Sequence, residues 1–307
     1  MSKRIAALDL GTNTFHLLIA DVDGSDIRSI VFQEQRHVKL GEGISEGRIT
    51  GASFSRGLEA VKYFHSIIIE KQVNIVHAVG TAALRAAENG STFIDSVKQE
   101  TDITIEIIAG DTEADLIYQG VRRAVNLDPV SLVMDIGGGS VEFIFADSKK
   151  ALWKKSYPIG AAKLMSLFHK LDPIAQEEIE DIQTHLNATL VDFREAVKTY
   201  KPLILVGSAG AFETYAALSQ LKCGLPIQAI EKCFNFDIPV LQSVLTDILN
   251  SRHAERAANA AILPVRTDMI VVASVLTQYI IDVTKTSSIE LSTFALKEGL
   301  LFSASSR

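Results

Sequence analysis

A chain of 307 residues is long enough for two domains of ordinary size, each with its own core. Hydrophobic residues at 47% and charged residues at 22% are globular proportions, which exclude a disordered or collagen-like chain. With 30 Lys and Arg against 37 Asp and Glu, a formal charge of −7 argues against bulk electrostatic capture of nucleic acid, so a polyanionic ligand needs a local basic groove. Candidates for such a groove are Lys3-Arg4, Arg36-His37-Lys39, Arg48 and Lys154-Lys155.

In chain order, the apolar run 5–10 is interrupted by Asp9 and lacks the uncharged core of a signal peptide. It reads as a strand, followed by a turn and a second strand through Asp21. Residues 28–39 have strand-like spacing, and the glycine-rich stretch 41–47 is a loop. Phe54, Leu58, Val61, Phe64 and Ile68 recur at helical spacing, which predicts a helix over 52–70. A strand at 74–79, a helix at 81–87, a helix capped by Ser91, a strand at 103–108 and a helix at 112–125 complete the first half.

The second half repeats that order: a hairpin over 131–146, a third strand at 152–157, helical segments over 161–200, and a strand at 203–206 ending at Gly207-Ser-Ala-Gly210. Helices follow at 211–221, 239–249 and 266–282, then a brief strand at 289–291 and a last helix at 294–304. Strands followed by βα units describe an α/β protein with a mixed sheet flanked by helices in each half. The most apolar helix falls short of the roughly 18 to 20 residues that cross a bilayer and reads as buried. Cys223 and Cys233 form no CxxC pair, which fits a reducing, cytoplasmic location.

The two hairpins are related. Residues Ala7-Leu-Asp-Leu-Gly-Thr-Asn-Thr-Phe-His-Leu-Leu-Ile-Ala-Asp21 align without gaps on Val133-Met-Asp-Ile-Gly-Gly-Gly-Ser-Val-Glu-Phe-Ile-Phe-Ala-Asp147, at a constant offset of 126 (Asp135 against Asp9). Such glycine and hydroxyl turns, if the glycines take positive φ, point backbone N–H groups into a shared concavity able to hold phosphate oxygens. An Asp inside an apolar strand is costly to bury unless paired or bound to a cation. Asp135 and Glu142 flank the second turn and can approach one cation, and Mg2+ takes one or two carboxylates together with water and phosphate. His16 aligns with Glu142, and the other histidines show no metal-ligand spacing.

Five segments together, Asp9-Leu-Gly-Thr-Asn-Thr, Gly80-Thr-Ala-Ala-Leu-Arg85, Gly110-x-x-Glu113-Ala, Asp135-Ile-Gly-Gly-Gly-Ser-Val-Glu142 and Lys297-Glu-Gly-Leu300, resemble the signature segments of the exopolyphosphatase and guanosine pentaphosphate phosphohydrolase family, in its order and at its spacings. The resemblance implies two actin-like (ribonuclease H-like) lobes with the active site in the cleft between them. Residues 1–124 form the first lobe, with a final helix in 293–307 packing back onto it, and residues 125–292 form the second. It also implies a short member, without the helical C-terminal extension of longer exopolyphosphatases.

By the same resemblance Glu113 is the general base that takes a proton from the attacking water. Asp135 and Glu142, with Asp9, bind Mg2+ or another divalent cation, and Arg85 clamps phosphate with its planar guanidinium. Donors at Gly11, Thr12, Asn13 and Thr14, at Gly137, Gly138, Gly139 and Ser140, and at Gly207 and Ser208 line the phosphate channel. The implied substrate is inorganic polyphosphate or guanosine pentaphosphate, with no nucleic-acid or membrane partner, and an apolar second lobe suits a homodimer. Departures are Thr112 where a second acid is usual, Asp115 where a basic residue is common, Ala273 for a glycine after Arg266-x-Asp268, and Ala295-Leu-Lys-Glu-Gly299 for the usual Gly-Leu-Arg-Glu-Gly. Two alternatives stand beside hydrolysis: a kinase of the same architecture, and a protein that senses polyphosphate or guanosine tetraphosphate without turnover.

Overall fold

The computed structural model describes residues 3–23 and 26–305. The chain clusters into two compact units, Met1–Gly120 with Phe294–Arg307, and Val121–Thr293. The first unit contains β1 (Lys3–Leu10), β2 (Thr14–Asp23), β3 (Asp26–His37), α1 (Gly51–Glu70), β4 (Ile75–Gly80), α2 (Ala82–Ala86), α3 (Gly90–Thr101), β5 (Ile105–Ile107) and α4 (Gly110–Val121), which ends at the unit boundary. The second contains β6 (Ser131–Ile136), β7 (Val141–Ala146), β8 (Ala151–Tyr157), α5 (Ala161–Phe168), α6 (Gln176–Thr189), α7 (Val191–Tyr200), β9 (Ile204–Ser208), α8 (Ala209–Lys222), β10 (Cys233–Asn235), α9 (Ile238–Asn250), α10 (His253–Ala258), α11 (Met269–Thr284) and β11 (Ser288–Ser292). The last helix, α12 (Leu296–Ser305), lies in the first unit and packs on β1 and β2.

The two sheets share one topology. The first runs β3-β2-β1-β4-β5 and the second β8-β7-β6-β9-β11, with β10 added at the far edge. In each, two antiparallel pairs are followed by parallel pairs, so both halves are mixed sheets with helical crossovers. This is the α/β architecture expected from the strand order.

The second hairpin is buried along its whole length: every residue of β6 and β7 is shielded from solvent. On one face Leu132, Met134, Phe143 and Phe145 join the main core, where Phe143 meets Phe193 at 4.5 Å between ring centroids and Phe145 meets Tyr200 at 5.4 Å. By the two-residue strand period, Val133, Asp135, Glu142 and Ile144 point to the opposite face. α11 is apolar around nearly its entire circumference, and residues from Ile270 to Ile281 are almost all buried. Among the described residues no helix is long and apolar enough to cross a membrane.

Several local expectations are corrected. The helix assigned a cap at Ser91 begins one residue earlier, after Asn89, whose side-chain oxygen accepts from the N–H of Ile49 instead of capping. The helical stretch 161–200 is three helices, and β10 and α10 carry too few periodic residues to be visible in sequence. Gly11 and Gly137, which open the two repeated turns, do not have positive φ, unlike Gly43, Gly47 and Gly224. Their role is close approach: a Cβ on Gly11 would lie 2.9 Å from the Thr14 carbonyl oxygen, and one on Gly137 would lie 2.9 Å from that of Ser140.

Candidate active site

The repeated turns have the same internal bond. Gly11 donates its N–H to the Thr14 carbonyl at 3.2 Å, and Gly137 donates to the Ser140 carbonyl at 3.0 Å. Both turns are also tied from behind through their carbonyls. In the first, Thr12 accepts from Gly41, and Asn13 accepts from Val38 and Lys39. In the second, the start of α5 does this work: Gly160, Ala161 and Ala162 donate to Gly139, Gly137 and Gly138 respectively.

A trans peptide sets each N–H opposite its preceding C=O. The N–H groups of Asn13 and Thr14, and of Gly138, Gly139 and Ser140, therefore point away from those ties. Rows of parallel backbone N–H groups form anion-binding concavities. The α5 tie depends on Gly160, where a Cβ would lie 2.4 Å from backbone atoms of Gly138.

In the second unit, strand register builds a polar row across four strands. Ser208 on β9 pairs with Asp135 on β6, Asp135 with Glu142 on β7, and Glu142 with Ser156 on β8. Directly opposite residues face the same side of a sheet with Cβ atoms about 4.5–5.5 Å apart. Asp135 is 9% exposed, Glu142 1% and Ser208 0%. The Ser208 hydroxyl donates to Asp135 Oδ2 at 2.5 Å and the Ser156 hydroxyl donates to Glu142 Oε1 at 2.6 Å. The Ser208 hydroxyl is thus engaged with Asp135. Gly207 likewise serves packing, because a Cβ there would meet the ring of buried Phe212 at 2.1 Å.

The equivalent row of the first unit places Asp9 opposite His16 and His16 opposite Gln35, with Val79 on the other side of Asp9. At the same strand ends, the Ile108 N–H binds the Gly80 carbonyl, joining the ends of β5 and β4. Helices α2 and α4 start there and bring Arg85 and Glu113 together. Arg85 Nη1 donates to the Ile108 carbonyl at 2.6 Å and contacts Glu113 Oε2 at 3.4 Å. Both contacts run through one of three guanidinium nitrogens, and Glu113, 6% exposed, occupies the first turn of α4, where the helix dipole favours a carboxylate. In open α/β sheets ligands bind beyond the carboxyl ends of the parallel strands; Asp9, Asp135 and Ser208 lie near those ends of β1, β6 and β9, where the antiparallel β2 and β7 begin.

The structure thus groups the expected residues into two sets. Asp9, Gly11 to Thr14, Arg85 and Glu113 belong to the first unit, and Asp135, Gly137 to Ser140, Glu142, Gly207 and Ser208 to the second. Sequence reasoning missed Ser156, since a lone serine in a strand carries no signal until its cross-strand neighbour is known. Among the described residues no three His, Cys, Asp or Glu side chains are arranged to hold a metal ion. The donor set of the second row, two carboxylates among hydroxyls, fits a hard cation that keeps water and phosphate oxygens in its shell.

Other sequence features resolve into packing or surface pairs. Glu298 accepts from the N–H of Ala295 at 2.8 Å at the start of α12, and a Cβ on Gly299 would lie 1.8 Å from the Leu116 carbonyl oxygen. That motif is a helix crossing, not chemistry. The supposed basic groove is largely neutralised: Arg4 pairs with Asp21, Arg36 with Glu34, Arg48 with Glu88 and Lys155 with Asp192.

A model described as the Ppx/GppA phosphatase family matches residues 18–307. A crystal structure of an exopolyphosphatase from Cytophaga hutchinsonii is 36% identical, with a TM-score of 0.94 over 99% of this chain and 98% of that one. A Ppx/GppA enzyme from Aquifex aeolicus is 25% identical, with a TM-score of 0.82 over 99% and 100% of the two chains. A protein of Haemophilus influenzae named putative exopolyphosphatase is 26% identical over 98% of this chain and 91% of its own length. A guanosine-5'-triphosphate,3'-diphosphate pyrophosphatase of Aeromonas hydrophila is 25% identical over 98% of this chain, which spans 59% of that relative's length.

Proposed function

Since this chain belongs to the Ppx/GppA phosphatase family, we propose that it is a phosphoric anhydride hydrolase releasing terminal orthophosphate from inorganic polyphosphate, guanosine pentaphosphate or both. The observation that carries this reading is the buried Asp135–Glu142 pair, set directly opposite each other beside a turn whose N–H groups face away from α5. Two adjacent buried carboxylates repel unless one is protonated or a cation neutralises them, and a bound divalent cation would do the latter.

Phosphoryl transfer to water asks for positioning and charge stabilisation more than covalent help. Glu113 accepts the proton of the attacking water, whose oxygen bonds to the terminal phosphorus as the bridging P–O bond breaks. The shortened substrate leaves with that bridging oxygen. Arg85, hydrogen-bonded to the Ile108 carbonyl and in contact with Glu113, orients the base and presents its guanidinium to a phosphate oxygen. The N–H groups of Asn13 and Thr14, and of Gly138 to Ser140, hold phosphate oxygens in place. Asp135 and Glu142, with Asp9 contributing, would hold Mg2+ or another divalent cation, which would supply charge neutralisation to the phosphate. A cytoplasmic location suits either substrate.

The test is orthophosphate release from long-chain polyphosphate and from guanosine pentaphosphate, with Mg2+ and without any acceptor. Release from either is the expected result. Transfer that requires an added acceptor would indicate a kinase, and binding without release from any polyphosphate would indicate a sensor; either overturns hydrolysis.

A further inference from the structure

The polar row of the second unit holds two hydroxyls to which the hydrolytic reading gives no task. Both make short bonds to carboxylates, in the 2.5–2.7 Å range of a charge-assisted O–H donor. Each uses one carboxylate oxygen: Oδ2 of Asp135 and Oε1 of Glu142.

The Ser208 contact comes at the expense of an ordinary role. Ser208 is the N-cap residue of α8, where a serine side chain would accept from the helix's first turn, yet it makes no cap bond. The next residue, Ala209, takes a left-handed φ of 65°, a conformation strained for a residue with a side chain. A cap is forgone and a strained residue kept at the point where the hydroxyl reaches Asp135.

Ser156 is fixed differently. It sits on the edge strand β8 between Lys155 and Tyr157, which point to the other face and both bind Asp192, the tyrosine hydroxyl donating at 2.6 Å. The strand is thus anchored from its far side, and Ser156 is carried rigidly to Glu142. The first unit offers a control built into the fold, because the positions equivalent in register to Ser208 and Ser156 are Val79 and Gln35.

We propose that Ser156 and Ser208 are positioning residues, each pinning its carboxylate so that Glu142 and Asp135 are held in one orientation toward a divalent cation. The inference rests on the cation assignment made above. Outer hydrogen bonds of this kind fix ligand orientation, and their loss weakens metal binding about 10–100-fold.

The probe is Mn2+ binding to the full chain without substrate, followed by electron paramagnetic resonance of free Mn2+, with thermal melting as a check on folding. Ser156→Ala and Ser208→Ala should each weaken Mn2+ binding about tenfold or more, and Ser156→Thr, which keeps the hydroxyl, should stay within about threefold of the parent. Parent-like binding by both alanine variants overturns the proposal, as does a loss that Ser156→Thr shares. Should Ser208→Ala not fold, Ser156 on its edge strand carries the test alone. Glu142→Gln separates the two levels: if removing that ligand leaves Mn2+ binding intact, the cation assignment fails, whatever the serines do.

Discussion

The hairpins β1–β2 and β6–β7 share a turn bond, a cross-strand register and a place in their sheets, yet their polar rows differ. One row reads Val79, Asp9, His16, Gln35 and the other Ser208, Asp135, Glu142, Ser156. Both scaffolds turn backbone N–H groups away from the bonds that tie their carbonyls. The second alone sets two carboxylates side by side, each with a hydroxyl donor. The comparison teaches that a duplicated backbone conserves where groups are presented, while a few side chains decide whether that place suits a cation.

The largest expected effects separate base from ligand. Glu113→Gln should lower turnover by about two or more orders of magnitude, leaving substrate binding largely intact, as measured by phosphate release against equilibrium binding. Glu142→Gln should weaken Mn2+ binding about tenfold or more, whereas His16→Gln, at the matching position, should leave it within about twofold, since His16 is not among the proposed ligands. Equal losses from both would erase the distinction between the rows.

A gain of function sharpens it further. His16→Glu sets two carboxylates opposite each other in the first unit, where like charges should destabilise the hairpin by about 0.2–1 kcal/mol. Melting should fall without metal and recover with Mn2+, and a melting point insensitive to Mn2+ would show that two carboxylates without flanking hydroxyls do not suffice.

The turns themselves should break alike and their ties should not. Gly11→Ala and Gly137→Ala each force a Cβ to 2.9 Å of a carbonyl oxygen and should cost a similar 1–3 kcal/mol, roughly, by chemical denaturation. Gly160→Ala has several backbone atoms of Gly138 and Gly139 within 2.5 Å and should cost more than either, because only the second turn is tied by a helix start.

The smallest effects come from Asp21 and Asp147, which end the repeat. Arg4 holds the Asp21 carboxyl below the usual carboxylate range, and the backbone N–H of Lys150 does the same for Asp147. A depressed folded-state pKa contributes stability above the unfolded value, and that contribution is lost as pH falls through the folded one. Asp21→Asn and Asp147→Asn should therefore be less stable than the parent at neutral pH and converge with it in acid. Salt should shrink the Asp21→Asn deficit more, since Asp21 relies on an ion pair.

Much of this was legible in the amino-acid order. The ungapped repeat, the Asp inside each apolar strand, the alternation of strands and helices and the apolar α11 all follow from local periodicity and composition. Asp9 and Asp135 stood out because a carboxylate inside an apolar strand needs a reason, Glu142 because it flanks the second turn, and Glu113 through the family resemblance. Ser156 did not, and Gly11 and Gly137 do not use the positive φ open to glycine, because the carbonyl oxygen three residues on in the same turn approaches too closely for a Cβ.

What the chain alone determined is which residues face which side of a strand, because a period of two is written into every four to eight residues. The tertiary structure decided who stands beside whom. Register joins Glu142 to Ser156 and brings the Ser208 hydroxyl to Asp135, and the fold sets Arg85 against Glu113 and pairs Arg48 and Lys155 with acids far away in sequence. Neighbours across strands are long-range contacts, and no local pattern of residues carries their identity.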